Sequence, residues 1–340
     1  MRCYSLLIGE SASPKLKMTL DEKHPIAPRI TFNIQQVSKN LFIPSIITIY
    51  NLPTVYFSGC QQLVGEKIKL QCGLKESPVT SKCGIKATGL KTIFDGTINN
   101  ILPDFDGTKV NISMYCGVSN VENTKVQSKD KKGYEVKKVT IEKGASMAEG
   151  YKKFFELLLG DKYTITVLDD AANNVKYQNG ETQTQSLEYE DLSTAVSAIS
   201  QIGLYCLIKD NTITIYSETD LKTNSTLTYE TSKSNLTAQP AFTETNKIAV
   251  SLIMDASIKP LMKFKMPDSW AISTASFSND MDIISSISTS FGAHSVTSGT
   301  FQITSVWHKG DSRGVDASSW VTEIEAATTK DVQSGASLSD

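Results

Sequence analysis

Apolar and polar residues alternate with a period of two through much of the first third of the chain. Ile30, Phe32 and Ile34 alternate with Thr31, Asn33 and Gln35, and Ile68, Leu70 and Cys72 with Lys69 and Gln71. Val110, Ile112, Met114 and Cys116 alternate with Asn111, Ser113 and Tyr115. Such spacing puts one side of a strand into a core and leaves the other wet. Ile46-Ile47-Thr48-Ile49-Tyr50 is apolar on both faces, which predicts a central strand. Turn chemistry is expected at Pro25 to Pro28, Asp95-Gly96 and Asp106-Gly107. Short strands separated by turns predict a sandwich or small barrel.

The period changes in the middle third. Ser146 with Glu149 forms a capping box, and Met147, Tyr151, Phe154, Phe155 and Leu158 make one stripe of an amphipathic helix ending at Gly160. A second helix is predicted from an Asp191 cap through Leu192, Val196 and Ile199 to Gly203. It leads into a hairpin of Tyr205 to Ile208 and Ile213 to Tyr216 around Asp210-Asn211. Ser217 to Asn246 reads as connector with a strand near Leu227 to Tyr229. Strand signals resume at Ile248 to Met254, Leu261 to Met266, Phe301 to Trp307 and Val321 to Ala326. The Ser-rich stretch Ser273 to Ser298 fits no element, and Thr328 to Asp340 is a polar end expected to fray.

The chain has 340 residues, enough for two or three domains at roughly 150 residues each. Thirty-four basic against thirty-six acidic residues leave a net charge of −2. That balance excludes a strongly basic nucleic-acid binder and an acidic solvating chain. Serine and threonine make up about a fifth of the residues, and threonine favours strands. The apolar run at Met1 to Glu10 is too short for a signal peptide. Leu41 to Phe57 is broken by Pro44, Asn51 and Pro53, which excludes a membrane helix there. Cys3, Cys60, Cys72, Cys83, Cys116 and Cys206 show no C-x-x-C spacing, and free thiols made in a cytosol are expected.

Candidate chemistry is sparse. Of the three histidines, His308 lies in Trp307-His308-Lys309-Gly310-Asp311, where it is either a base oriented by Asp311 or a polar residue at a strand end. His24 sits in a charged loop, and His294 has no partner nearby in sequence. Asp104-Phe105-Asp106-Gly107 resembles a fragment of a calcium loop, but without a third acid position and a distal Glu it reads as a turn. No phosphate-loop, dinucleotide, nucleophile-elbow or zinc-protease string occurs. The lysine run from Lys125 to Lys138 reads either as a soluble loop or as a contact for an acidic or phosphate partner. No catalytic, cofactor or metal residue is therefore assigned, and partner-binding residues stay open.

Several strings, in order, resemble one family. Ile47-Thr48-Ile49-Tyr50-Asn51-Leu52 is followed by Val64-Gly65-Glu66-Lys67-Ile68-Lys69-Leu70-Gln71-Cys72-Gly73, then Ile93-Phe94-Asp95-Gly96-Thr97-Ile98 and Val110-Asn111-Ile112-Ser113. Near the other end stand Gly299-Thr300-Phe301-Gln302-Ile303-Thr304-Ser305-Val306-Trp307-His308-Lys309-Gly310-Asp311-Ser312-Arg313-Gly314 and Ser319-Trp320-Val321-Thr322-Glu323-Ile324-Glu325-Ala326. This order is similar to that of phage baseplate central hub proteins. The family takes in tail hubs of contractile-tailed phages, late control protein D relatives and the N-terminal part of type VI secretion spike proteins.

The resemblance implies a mainly β chain with two tube-like β-barrel domains flanking a two-helix α+β domain. The implied boundaries are 1–120, 121–220 and 221–328, with 329–340 a flexible tail. It also implies a non-enzymatic homotrimer in the virion, made in the host cytoplasm. Such a trimer presents a pseudo-sixfold ring to the tail tube or tube-initiator ring and holds a trimeric spike on its other face. The end of the tape-measure protein and the baseplate wedge proteins are further implied partners. On this resemblance Trp307 to Gly314 is a turn of the second barrel and His308 is structural. No spike module follows Ala326, so the spike is expected to be a separate protein. Two rivals stand beside this: a secreted adhesin-like β protein, which Asn-x-Ser/Thr strings such as Asn224-Ser225-Thr226 would suit, and a tail-associated cell-wall hydrolase.

Overall fold

A computed structural model describes residues 1–37, 43–52, 59–76, 82, 85, 87–106, 109–117, 138–160, 163–176, 184–189, 192–209, 212–217, 220, 228–238, 240–244, 247–266 and 300–328. Strands dominate. In chain order they are β1 (Arg2–Glu10), β2 (Ser13–Leu20), β3 (Ile30–Val37), β4 (Ser45–Tyr50), β5 (Lys67–Leu74), β6 (Lys91–Asp106), β7 (Lys109–Gly117), β8 (Lys138–Glu142) and β9 (Thr164–Val167). Then come β10 (Thr184–Glu188), β11 (Leu204–Lys209), β12 (Thr212–Ser217), β13 (Thr228–Glu230), β14 (Ala241–Glu244), β15 (Lys247–Ile253), β16 (Lys263–Lys265), β17 (Thr300–Asp311) and β18 (Trp320–Thr328). Three helices occur among the described residues: α1 (Met147–Leu159), α2 (Asp169–Asn174) and α3 (Leu192–Gln201).

Two units form. The larger is built from the described parts of Met1–Val37, Pro44–Cys116 and Thr226–Asp340, the smaller from those of Ser38–Ile43 and Gly117–Ser225. The larger unit is one sheet in the order β14-β15-β18-β17-β3-β4-β7-β6-β5-β1-β2, with β16 on β17 and β13 on β16. Its described pairings run on from strand to strand and close no barrel, so the two-barrel expectation is not what this pairing shows. The seam between the two halves is β3 against β17, antiparallel from Ser305 opposite Val37 to Asp311 opposite Thr31.

The predicted strands at 30–35, 46–50, 68–72 and 110–116 are β3, β4, β5 and β7. β4 is central as expected, between β3 and β7, but only alternate residues of it are fully buried. Asp95-Gly96 is not a turn. It lies inside β6 opposite Lys69 and Ile68, because a long flanking partner strand supplies ladder bonds that override the local turn preference. The connector expected over 217–246 contains β14 as well as β13, and β1 and β2, which the sequence reading does not include, pair as a hairpin.

Long-range ties reinforce the seam. Trp320 Nε1 donates to Gly73 O at 3.2 Å, Thr88 Oγ1 to Met254 O at 2.9 Å and Lys259 Nζ to Thr92 O at 3.4 Å. Phe32 meets Trp320 edge-on with ring centroids 5.3 Å apart, and its ring lies where a Cβ at position 310 would sit. Only glycine fits there.

In the smaller unit Ser146 Oγ accepts from Glu149 N at 3.3 Å, and α1 ends at Gly160 with φ 61°, a region glycine enters without strain. The α1 stripe packs with Leu192, Ala195 and Ile199 of α3 onto Ile213 and Ile215 of β12, so the helix stripe is core. β12 pairs antiparallel with β11 and parallel with β9, while β8 and β10 form a separate ribbon. Asp220, almost fully buried, accepts from Ala171 N and from Ser217 N and Oγ at 2.8–2.9 Å, tying α2 to the end of β12. Asp191, Asp210-Asn211, Ser273 to Ser298 and Thr329 to Asp340 lie outside the described residues.

Candidate functional site

The histidines divide sharply. His24 is exposed in the β2–β3 loop, its Nδ1 3.0 Å from Asp21 Oδ1. His294 lies outside the described residues. His308 is fully buried in β17, and the turn expected from Trp307 begins only after Asp311, because β17 stays paired on both sides that far. Its Nδ1 lies 3.0 Å from Thr322 Oγ1, while Nε2 has no hydrogen-bond partner. Burial, helped by nearby Lys259, holds the imidazole well below its ordinary pKa, so the ring is neutral at pH 7.

Asp311 does not orient this histidine. It takes a bidentate bond from Arg29, Nε to Oδ1 at 3.0 Å and Nη2 to Oδ2 at 2.6 Å. Partial burial pushes the Asp311 carboxyl up, but the Arg29 and backbone N–H bonds together bring it below the usual carboxylate value. The two residues alternate along β17, and alternate rungs face opposite sides of a sheet only when their separation is odd. Here the separation is three, which takes Asp311 away from the His308 face.

Cys3, Cys60, Cys72, Cys116 and Cys206 are free and buried, and Cys83 lies outside the described residues. Burial raises the thiols of Cys3, Cys72 and Cys206 and pushes Cys116 up to about 12, which suits packing and not nucleophilic chemistry. Among the described residues no three His, Cys, Asp or Glu side chains cluster to hold a metal. Asp104 and Phe105 form the exposed end of β6, with Gly107 outside the described residues. Of the lysine run only Lys138 is described, in β8, where it pairs with Glu188 at 2.7 Å.

Two surface features of the larger unit stand out instead. The first is a tip where the β2–β3 loop meets the β17–β18 turn. Arg2 reaches across from β1 and donates to the carbonyls of Asp311 at 3.0 Å, Asp316 at 2.9 Å and Gly314. Arg313 Nη2 donates to Ala27 O at 2.8 Å, and Tyr4 Oη to Pro28 O at 2.5 Å. Arg29 lies over the Tyr50 ring, 4.8 Å from its centroid. Beside these bonds lies a recess of about 550 Å³ lined by Ile26, Ala27, Pro28, Arg29, Tyr50, Asn51 and Arg313. The second feature is a groove of about 380 Å³ on the outward face of β15, β18 and β17, between Trp307 and the small residues Ala249 and Ser251. Lys309 pairs with Glu323 there at 2.6 Å, and Ser305 Oγ donates to Glu325 at 3.1 Å. Sequence reading did not find either feature, because each joins residues far apart in the chain.

No protein-family model matches the chain, and no curated protein is similar to it in sequence. Its fold, however, is shared. A 43 kDa tail protein of prophage MuSo2 from Shewanella oneidensis superposes with a TM-score of 0.51 at 8% identity, over 97% of this chain and 98% of that one. A tail protein from Neisseria meningitidis MC58 gives a TM-score of 0.51 at 8% identity, over 98% and 99%. An E. coli type VI secretion system component, itself similar in structure to T4 bacteriophage tail proteins, gives 0.48 at 10% identity, over 90% and 74%. The fold is that of phage tail proteins, as the family resemblance implies.

Proposed function

We propose that the chain is the structural hub of a contractile phage tail baseplate. The observation that carries this reading is a fold match spanning nearly the whole of both chains with two tail proteins. In the proposed assembly three copies form a ring whose tube-like modules, one from each half of the large sheet, meet the hexameric tail tube. A separate trimeric spike attaches on the opposite side, the tape-measure end lies in the lumen and wedge proteins surround the ring. The chain acts in the virion tail as a scaffold, without catalysis.

The sheet supports such a role physically. Among the described residues the 13-stranded sheet leaves β14, β2 and β13 as edges, and edges of this kind are normally covered or paired in an assembly. Near-zero net charge suits a protein surrounded by other proteins. Native mass spectrometry of the purified chain is expected to show trimers that bind a purified spike protein. A monodisperse monomer that ignores the spike would overturn the reading.

A further inference from the structure

The tip of the larger unit carries the two most exposed large aliphatic side chains among the described residues. Ile26 is 91% exposed and Val315 is 94% exposed, on loops that the Arg2, Arg313 and Tyr4 bonds hold in place. Loops already fixed lose little further entropy on binding, which makes exposed apolar atoms at their ends efficient contact groups. Next to them stands the Arg313 guanidinium. Its Nη2 donates to the Ala27 carbonyl, and among the described residues no carboxylate pairs with it.

The groove on β15, β18 and β17 has the opposite character. Its floor is made of small residues, Ala249 and Ser251, its wall is the partly exposed Trp307, and among its described lining residues Glu323 and Glu325 stand with the single cation Lys309. A small-residue floor beside an indole accepts aliphatic side chains, and two carboxylates against one lysine leave an acidic excess for a guanidinium. The tip cannot fold into its own groove, since Arg2 ties the β17–β18 turn to β1.

We infer that the Ile26–Val315 tip of one copy docks into the Trp307–Glu325 groove of a second copy, with Arg313 facing Glu325. The contact is heterologous, joining two different patches, and such a contact closes a ring where its rotation is a whole fraction of a turn, as the hub reading requires. It rests on the hub reading, for which it names the contact between subunits.

Disulfide capture in the full chain tests the contact. With Cys83→Ser removing the sixth cysteine, Val315→Cys and Ala249→Cys are introduced singly and together, and mild oxidation is followed by non-reducing electrophoresis beside native mass spectrometry. Covalent species up to the trimer in the double variant, with none in either single variant, are the expected result. Native trimers without covalent species, or covalent dimers of the Val315→Cys variant alone, overturn this contact and leave the hub reading standing. Monomers throughout overturn both. Independently, Arg313→Glu is expected to weaken association about tenfold, and adding Glu325→Arg to restore most of it. Failure of that restoration overturns the assigned pair.

Discussion

The two units of this chain are held by different kinds of contact. In the smaller one, contacts are local or of middle range: a capped helix, a hairpin of β11 and β12, and the β8–β10 and β9–β12 pairings, which join residues 42 to 50 positions apart. In the larger one the decisive contacts join the two ends of the chain. β3 pairs with β17 across about 270 residues of sequence, and Arg2 bonds carbonyls more than 300 residues away. Local contacts cost little loop-closure entropy and can form first, whereas the β3–β17 seam needs most of the polypeptide to be in place. The smaller unit is therefore expected to be lost without the larger, and damage at the seam to be felt in both halves of the large sheet.

Phe154→Ala sharpens this most strongly. Removing a fully buried ring from the smaller core is expected to cost about 3–5 kcal/mol. Hydrogen exchange should then show α1 and β12 exposed while β3, β4 and β17 stay protected. Simultaneous loss in both units would break the distinction.

Gly310→Ala attacks the seam. A methyl group there meets the Phe32 ring, which is itself packed on Trp320, and the expected cost is about 1–3 kcal/mol. Denaturant unfolding followed by exchange should show β4 and β18 weakening together. A loss confined to one side would mean that the two halves are independent.

His308 provides a pH test of the same seam. The folded chain holds its imidazole neutral, while an unfolded chain takes up a proton near pH 6.5. Stability from this residue is therefore complete above about pH 6.5 and falls by about 1.4 kcal/mol for each unit below it, until the depressed folded pKa is reached. Carboxylates such as Asp311 act in a lower window, below the ordinary carboxylate value. His308→Asn should flatten the fall between pH 6.5 and 5 in urea titrations, and an unchanged slope would remove His308 as its cause.

Ser146→Ala is the mildest change. Loss of the cap on α1 should cost about 1 kcal/mol, seen as earlier exchange in the smaller unit alone. A matching loss in β17 would contradict the separation.

The legibility of the fold follows the same division. Spacing alone located β3, β4, β5 and β7, the α1 cap and its buried stripe, and the hairpin of β11 and β12, since side-chain period and capping are properties of short windows. β1 gives no period because both its faces are substantially buried, whereas β2 was legible, Leu16, Met18 and Leu20 alternating with Lys15, Lys17 and Thr19, and was missed all the same. The turn predicted at Asp95-Gly96 failed because β5 holds those residues in a ladder. His308 and Asp311 look like partners in sequence, yet Arg29, distant in the chain, takes the aspartate and Thr322 takes the histidine.

By itself the sequence determined a mainly β chain interrupted by a helical segment, and an ordered set of strings resembling tail hub proteins, because alternation, capping and turn residues act over a few positions. Tertiary structure alone decided that the two ends share one sheet, that His308 is sealed inside it, and that Arg313 ties the exposed β17–β18 turn to the β2–β3 loop. Those outcomes depend on which distant strands meet, and strand pairing is a choice among many partners that only the packed chain as a whole can make.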